Sequence, residues 1–488
     1  MVQNLLLGND MLPLLLNIFF ASCCGFLLAT LAPSAQASGP HYVFAHYMVC
    51  YNDYGQSVAG YEREIQQAQA AGIDGFVLDI GTWNDTNYLY YNQRVELIYQ
   101  AAELLHNGFK LSLFVEFSNT TNIINLVETY AHRTNTFWYN GGIVLSSWGM
   151  NTVPTMGWTG LDWTNQVLNP LQTAGYPVFF IPHFWPPYAH EVPTYSDAET
   201  LLSQDGSFIQ GLFLFLASGL PAEFAQSVSN YASALHGAGK TFMASFTPNY
   251  WGNAQPSNGR WYFESDGGEG TIIEWQSIIA NQPDWVNLVT WNDFNESTYI
   301  CPATNTDLEY YEGGLATPRR YCHAGYLELS KHYIAWYKTG QEPPINQDAL
   351  FYFYRTHPKN AVASATNDVP VTTFIGDIQD VIYNTLFLTA PAQLVVSSGG
   401  NLSTNTLAAG IQSVRTPFIP GAQSFTLFRN GTNVLSTQGP PILSQITNYD
   451  FFPASGFAYS QAIGSGLTNS GTTNGVPLAP SNLRILTN

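Results

Sequence analysis

Between residues 41 and 340, short runs of consecutive apolar residues alternate with stretches in which apolar positions recur every three or four residues. The runs are HYVFAHYMV (41–49), GFVLDI (75–80), KLSLFVEF (110–117) and GIVLSSW (142–148). They continue with PVFFIPHF (177–184), GLFLFLA (211–217), TFMASF (241–246) and WVNLVTW (285–291). Each is too continuous to leave one face in water. This predicts parallel strands covered on both sides by helices.

The stretches between them read as helices. From Tyr61 to Ala71, Ile65, Ala68 and Ala71 form an apolar stripe against Glu62, Arg63, Glu64 and Gln66, and Gly72 ends the run. Similar patterns cover 94–106, 123–132, 221–236, 271–281 and 323–338. Alternation sustained through eight strands predicts an α/β fold, a (β/α)8 TIM barrel over 38–345. A doubly wound sheet is the alternative, but no Gly-rich phosphate loop follows the first strand.

After Gly340 the helical period fades. Residues 340–348 (GQEPPINQD) read as a linker. LFYFYR (350–355), NTLFLTA (384–390), AQLVVSS (392–398) and SFTLFRNGTNVLS (424–436) read as strands, with Asn430-Gly431 a hairpin turn. The expectation is a C-terminal β-sandwich over 346–488, with a flexible Gly/Ser/Thr-rich stretch at 464–475.

Composition narrows the partners. Charged residues make up 10% of the 488 and the net charge is −19. A chain this acidic has no basic face for nucleic acid or anionic lipid, so an uncharged ligand is expected. The apolar segment Met11–Ala32, followed by Ala35-Gln36-Ala37, reads as a signal peptide over 1–37 and predicts secretion, although no Lys or Arg precedes Arg63. Removing it leaves three cysteines. Cys301 and Cys322 flank a short segment and are expected to bridge, leaving Cys50 as a buried thiol. Sequons stand at Asn84, Asn119, Asn401 and Asn430; a fifth, at Asn295, falls in a candidate site segment. A monomer without cofactor is expected.

In a TIM barrel the chemistry sits at the C-terminal ends of the strands. Those ends supply His46, Asp79, Glu116, Trp148, His183 and Trp185. The loop after the seventh strand adds Asn249, Tyr250, Trp251, Trp261, Glu264 and Asp266, and the eighth strand runs into Asn292, Asp293 and Glu296. Carboxylates and aromatics dominate, and glycosidic cleavage uses both. One carboxyl protonates the leaving oxygen, a second activates water or attacks the sugar, and ring faces stack on pyranose C–H surfaces. No metal-ligand spacing, G-x-S-x-G elbow or P-loop is present, and no metal is expected. Capping, core packing or a plain turn are the structural alternatives for each of these side chains. Asp293 and Glu296, three residues apart directly after an apolar strand, fit those alternatives least. Their spacing allows either an inverting or a retaining separation.

VFAHYMV (43–49), YEREIQQAQAAGIDGFVLDIG (61–81), VNLVTWNDFNESTYI (286–300) and FYFYRTHP (351–358) resemble the family-71 glycoside hydrolases, secreted α-1,3-glucanases also called mutanases. The segment around FESDGGEGTIIEW is similar too. The resemblance implies a barrel with an appended β-sandwich and endo-acting hydrolysis of α-1,3-glucan with inversion. It places Asp293 and Glu296 as the acid/base pair, in either order. His46, Asp79, Glu116, His183, Trp185, Tyr250, Trp251, Glu264, Asp266 and Asn292 would line substrate subsites. Two competing readings are a barrel glycosidase acting on another α-glycan, similar to an endo-α-mannosidase, and a non-catalytic sugar-binding barrel.

Overall fold

Phe44, Val77, Phe114, Val144, Phe179, Phe213, Met243 and Trp285 pack into one apolar cluster, and each comes from a different strand. In the computed structural model, which describes residues 41–116, 118–154, 160–186, 192–252, 260–303, 306–307, 319–366 and 368–460, those strands are β1 (Tyr42–Met48), β2 (Gly75–Ile80), β3 (Lys110–Val115), β4 (Gly142–Ser147), β5 (Val178–Phe180), β6 (Gly211–Phe213), β7 (Thr241–Phe246) and β8 (Trp285–Leu288). All pair in parallel, in the order β5-β4-β3-β2-β1-β8-β7-β6. Side chains alternate along a strand, so the sheet sends one set inward to this cluster and the other outward against helices. The sheet curls. Its end strands β5 and β6 are bridged by Gln210 N donating to Phe180 O and Phe213 N to Pro182 O, both at 2.9 Å.

The helices are α1 (Val58–Ala70), α2 (Tyr90–Leu105), α3 (Thr120–Tyr130), α4 (Asn169–Ala174), α5 (Tyr195–Asp205), α6 (Pro221–Gly237), α7 (Gly267–Asn281) and α8 (Ala324–Thr339), one after each strand. Outward-facing Val43, Ala45 and Tyr47 of β1 bury against Ile65 and Ala68 of α1 and their equivalents around the layer. The eight strands and six of the helices match the expectation from sequence. Helices α4 and α5 were not expected. The first continues a π-helical turn (Thr164–Leu168) and carries Pro170 at its start, which hides the period. The second is announced only by a capping box, in which Thr194 Oγ1 accepts from Asp197 N and Asp197 Oδ2 accepts from Thr194 N.

Eight further strands form two antiparallel sheets: β9 (Ala349–Arg355), β10 (Val381–Leu388), β11 (Ala392–Ser398), β12 (Asn401–Leu407), β13 (Gly410–Pro417), β14 (Gly421–Arg429), β15 (Thr432–Ile442) and β16 (Pro453–Tyr459). Their orders are β13-β10-β9-β16 and β12-β11-β14-β15. The expected hairpin at Asn430-Gly431 joins β14 to β15, both residues in the left-handed region. Tyr352 of β9 stacks on Phe425 of β14 at 4.6 Å and ties one sheet to the other. The first sheet also packs on α8: Gly325 N donates to Ser455 Oγ at 3.2 Å, and His323 Nε2 lies 3.1 Å from Pro453 O.

One expectation is corrected here. The structure draws no disulfide between Cys301 and Cys322. Cys301 is buried in the layer between strands and helices, while Cys322 lies beside β16, where its carbonyl accepts from Ser455 Oγ at 3.1 Å. The segments that carry them are in contact, Tyr299 Oη donating to Tyr321 O at 2.6 Å. The expected signal segment 1–37 and the stretch 464–475 lie outside the described residues. Among those described, no helix is long and apolar enough to cross a membrane.

Candidate active site

The polar centre lies where β1, β2, β3 and β8 end. His46 of β1 is fully buried, with Nε2 2.8 Å from Asp79 Oδ2 and Nδ1 3.3 Å from Asn287 of β8. Burial pushes the imidazole down to about 3 against the opposing pull of the Asp293 charge. It pushes Asp79 well above the usual carboxyl range, and Asp293 adds to that rise. An imidazolium–carboxylate pair and an imidazole–carboxylic acid pair hold the same single proton. Without water to solvate the charges, the neutral arrangement is favoured. Asn287 Nδ2 donates to His46 Nδ1, so the ring proton sits on Nε2 and is given to Asp79 Oδ2, leaving the Asp79 proton on Oδ1.

Glu116 follows β3 directly. It is raised well above its ordinary value by burial first, then by the neighbouring acids Asp79 and Asp293. Gly81 makes room beside it: a Cβ there would stand 2.4 Å from Tyr91 Oη and 3.4 Å from Glu116 Oε2. Cys50, just past β1, is held as a protonated thiol by burial and by Asp293, Asp79 and Glu116.

The segment after β8 is a tied excursion. Thr290 N donates to Thr298 O and Ile300 N to Thr290 O, both at 2.9 Å, closing its base. Within it, Asp293 N donates to Thr290 Oγ1 at 2.7 Å. Asp293 Oδ1 accepts the N–H groups of Asn295 at 3.0 Å and Glu296 at 3.1 Å. Glu296 is raised to about 8, by burial, then by Asp293, then by Glu116. Asp293 is buried, whereas Glu296 and Glu116 keep part of their surface accessible. Tyr250 stands beside the pair, its hydroxyl raised by burial and by the charges of Glu296 and Asp293.

Aromatic rings wall the opposite side. Trp148 lies 4.8 Å from His183, 4.9 Å from Phe215 and 5.2 Å from Trp185, and Phe215 reaches His46 at 5.0 Å. His183 Nε2 and Trp185 Nε1 are buried and bond to no group among the described residues. Burial lowers His183 to about 4, so the ring is neutral near pH 7. Four carboxyls, two of them partly accessible, beside a ring wall with two unused ring nitrogens suit a neutral, hydroxyl-rich ligand that is to be protonated.

The family model for glycosyl hydrolase family 71 matches residues 39–465. The chain belongs to glycosyl hydrolase family 71. It is similar to the glucan endo-1,3-alpha-glucosidase agn1 of Schizosaccharomyces pombe, at 30% identity over 86% of this chain and 94% of that protein. It is also similar to a mutanase of Penicillium rubens, at 28% identity over 83% of this chain and 86% of that one. The ascus wall endo-1,3-alpha-glucanase of Schizosaccharomyces pombe is 30% identical over 82% and 92%. Among solved structures, the endo-alpha-mannosidase of Bacteroides thetaiotaomicron is similar over 62% of this chain and 99% of its own. The identity is 14% and the TM-score 0.46.

In this family-71 chain the expected site residues divide. His46, Asp79, Glu116, Tyr250, Asp293 and Glu296 meet at one centre, and His183 and Trp185 join the wall beside it. Four do not. Asn292 is fully buried and spends its amide on backbone, accepting from Met48 N at 2.8 Å and donating to Met48 O and Tyr51 O. Trp251 is fully buried among Phe451, Phe452 and the Arg260 guanidinium. Glu264, raised to about 7 by burial, lines a cavity with Tyr262, Tyr326, Arg355 and Tyr383. Asp266 accepts from Tyr383 Oη at 3.1 Å and pairs with Arg415 at 3.2 Å. Both acids therefore serve the junction with the C-terminal sheets. Sequence reasoning missed Phe215, whose strand reads as plain core, and Tyr91, on a helix start rather than a strand end.

Proposed function

We propose that this family-71 glycoside hydrolase cleaves α-1,3-glucan internally and with inversion, Glu296 acting as general acid and Asp293 as general base. The observation that carries this reading is the unequal footing of two acids in one turn. Asp293 receives two backbone N–H groups, which favour its ionised form, and its charge helps hold Glu296 protonated to about pH 8.

Glu296 gives its proton to the glycosidic oxygen as the C1–O bond breaks. Asp293 takes a proton from a water molecule whose oxygen bonds to C1 from the other face, so an α-linkage yields a β-configured end. The pair is then reset by returning one proton to Glu296 and releasing one from Asp293. The neutral His46–Asp79 pair and Glu116 offer hydrogen bonds to sugar hydroxyls without competing for the catalytic proton. Trp185 Nε1 supplies a donor from the ring wall, and His183 Nε2 a second hydrogen-bonding nitrogen.

The substrate follows from the similarity to proteins named endo-1,3-alpha-glucanases and mutanase over most of their length. The same reading takes the curled sheet as a closed TIM barrel over 38–345, the two C-terminal sheets as a β-sandwich over 346–488, and the protein as a secreted monomer. The purified protein is expected to release reducing oligosaccharides from insoluble α-1,3-glucan, the newly formed ends being β by NMR in the first minutes. Release of α ends would rule out inversion. Binding without release would leave a sugar-binding barrel, and release only from another α-glycan would move the substrate.

A further inference from the structure

We infer that the Tyr88 ring, held in place by Tyr90 and Tyr91, is a stacking platform for glucosyl units of the polymer lying beyond the cleaved bond. The inference rests on the glucan hydrolysis proposed above and deepens it, because it separates recognition of a chain from recognition of the bond.

The three rings run outward from the carboxyl cluster. Tyr91 Oη crowds Gly81 beside Glu116 Oε2. Tyr90 stacks on Tyr91 with centroids 4.6 Å apart and a 26° interplanar angle, and Tyr88 meets Tyr90 edge-on at 6.2 Å. Two features set this row apart from ordinary packing. First, its outer end is in water: Tyr88 is 49% exposed and the adjacent Leu89 47%. Tyr90 stacks on Tyr91 and meets Tyr88 only edge-on, so the Tyr88 ring keeps half of its surface open to solvent.

Second, the loop is rigid before any ligand arrives. Asn84 N donates to Asn92 Oδ1 at 3.2 Å and Asn92 Nδ2 returns to Asn84 Oδ1 at 2.7 Å, pinning its two ends. Tyr88 N donates to Asp85 O and Tyr91 N to Tyr88 O. The Arg94 guanidinium lies 4.9 Å over the Tyr90 ring while its Nη1 donates to Val49 O at 2.9 Å, fixing the middle ring to the end of β1. An exposed aromatic on a pre-ordered loop, continuous with a catalytic cluster, fits the apolar face of a neutral sugar chain.

The test compares the wild type with Tyr88→Ala, Tyr88→Phe and Tyr88→Trp, each checked for an unchanged melting temperature. On long α-1,3-gluco-oligosaccharides, Tyr88→Ala is expected to raise KM by about three- to tenfold with kcat unchanged. On the shortest cleavable oligosaccharide both constants should stay at wild-type values. Phe and Trp at this position should restore KM, because a ring face and not a hydroxyl is required. Equal KM for Tyr88→Ala and wild type on long chains would overturn the platform, as would an equal loss on short and long. Retardation in gels containing soluble carboxymethyl α-1,3-glucan gives a readout without turnover. Wild type retarded more than Tyr88→Ala, yet inactive, would sink the hydrolysis and keep the platform. Equal mobility of the two would sink the platform alone.

Discussion

Asp293 Oδ1 accepts the backbone N–H of Glu296 at 3.1 Å, so the charge of one acid is fixed beside the main chain that carries the other. Moving either carboxyl moves both. Asp293→Asn and Glu296→Gln should each lower kcat by at least about a hundredfold while leaving the melting temperature within a few degrees. With Glu296 raised to about 8, kcat/KM should decline as pH rises through that value, because deprotonation removes the acid. An alkaline limb well below pH 7 would move the acid role to another carboxyl.

Behind this turn, Trp291 Nε1 donates to Glu64 Oε2 at 2.9 Å, joining the segment after β8 to α1. Glu64 is 1% exposed and raised to about 8 by burial, so near pH 7 it is a neutral acid that accepts this bond. Glu64→Gln keeps an acceptor and should preserve activity. Glu64→Leu leaves the indole N–H buried and unanswered, at a cost of about 1–3 kcal/mol. A lower melting temperature together with a severalfold drop in kcat is expected for Leu only. Equal behaviour of Gln and Leu would show that the bond positions nothing.

Much of this arrangement was legible because a strand's end is a place as well as a pattern. Once eight buried strands were counted, the barrel rule brought His46, Asp79, Glu116 and the Asp293–Glu296 pair to one mouth from positions up to 250 apart. Loops carry no such rule. The residues after β7 form short strands, Tyr250–Trp251 and Arg260–Phe263, that pair onward to Val371–Ile375. That pairing turns Trp251 and Glu264 toward the C-terminal sheets, whose contribution no local pattern announces. Asn292 shows the other limit: its residue type suits sugar binding, but a backbone amide nearer in space claimed it first. The tyrosines at 88–91 look like a helix start in sequence, and only exposure sets Tyr88 apart from its neighbours.

Stability should fall as pH rises from about 6.5 to about 8. Glu64 and Glu296 are raised to about 8 and Glu264 to about 7, whereas an unfolded chain ionises them near 4.5. In that window the folded state binds more protons than the unfolded one, so ∂ΔG/∂pH is negative. Below about 6.5 the sign is opposed by His46 and His183, buried with values near 3 and 4, because the unfolded chain takes up protons there that the fold refuses. Melting temperature measured in half-unit steps should decline above 6.5, and Glu64→Gln should flatten the slope. A rising curve between 6.5 and 8 would contradict this balance.

The C-terminal sheets should be required by the curled sheet and its helices and not merely attached to them. Gly325, at the start of α8, sits against β16 so closely that a Cβ would come 2.8 Å from Gly456 N and 2.9 Å from Ser455 Cβ. Gly268 on α7 leaves a hypothetical Cβ 2.2 Å from Thr385 Oγ1 of β10. Two helices of the layer around the sheet thus meet the C-terminal strands with no side chain between. The contact surfaces include Phe353 and Tyr326, whose rings lie 4.5 Å apart. Gly325→Ala should cost about 1–3 kcal/mol, since the atom it meets is backbone and cannot rotate away. Removing residues after about 345 should cost far more, stripping cover from α7 and α8 and yielding an insoluble or low-melting fragment. A truncated chain that is soluble and melts with the full one would show that α7 and α8 hold their place without the sheets.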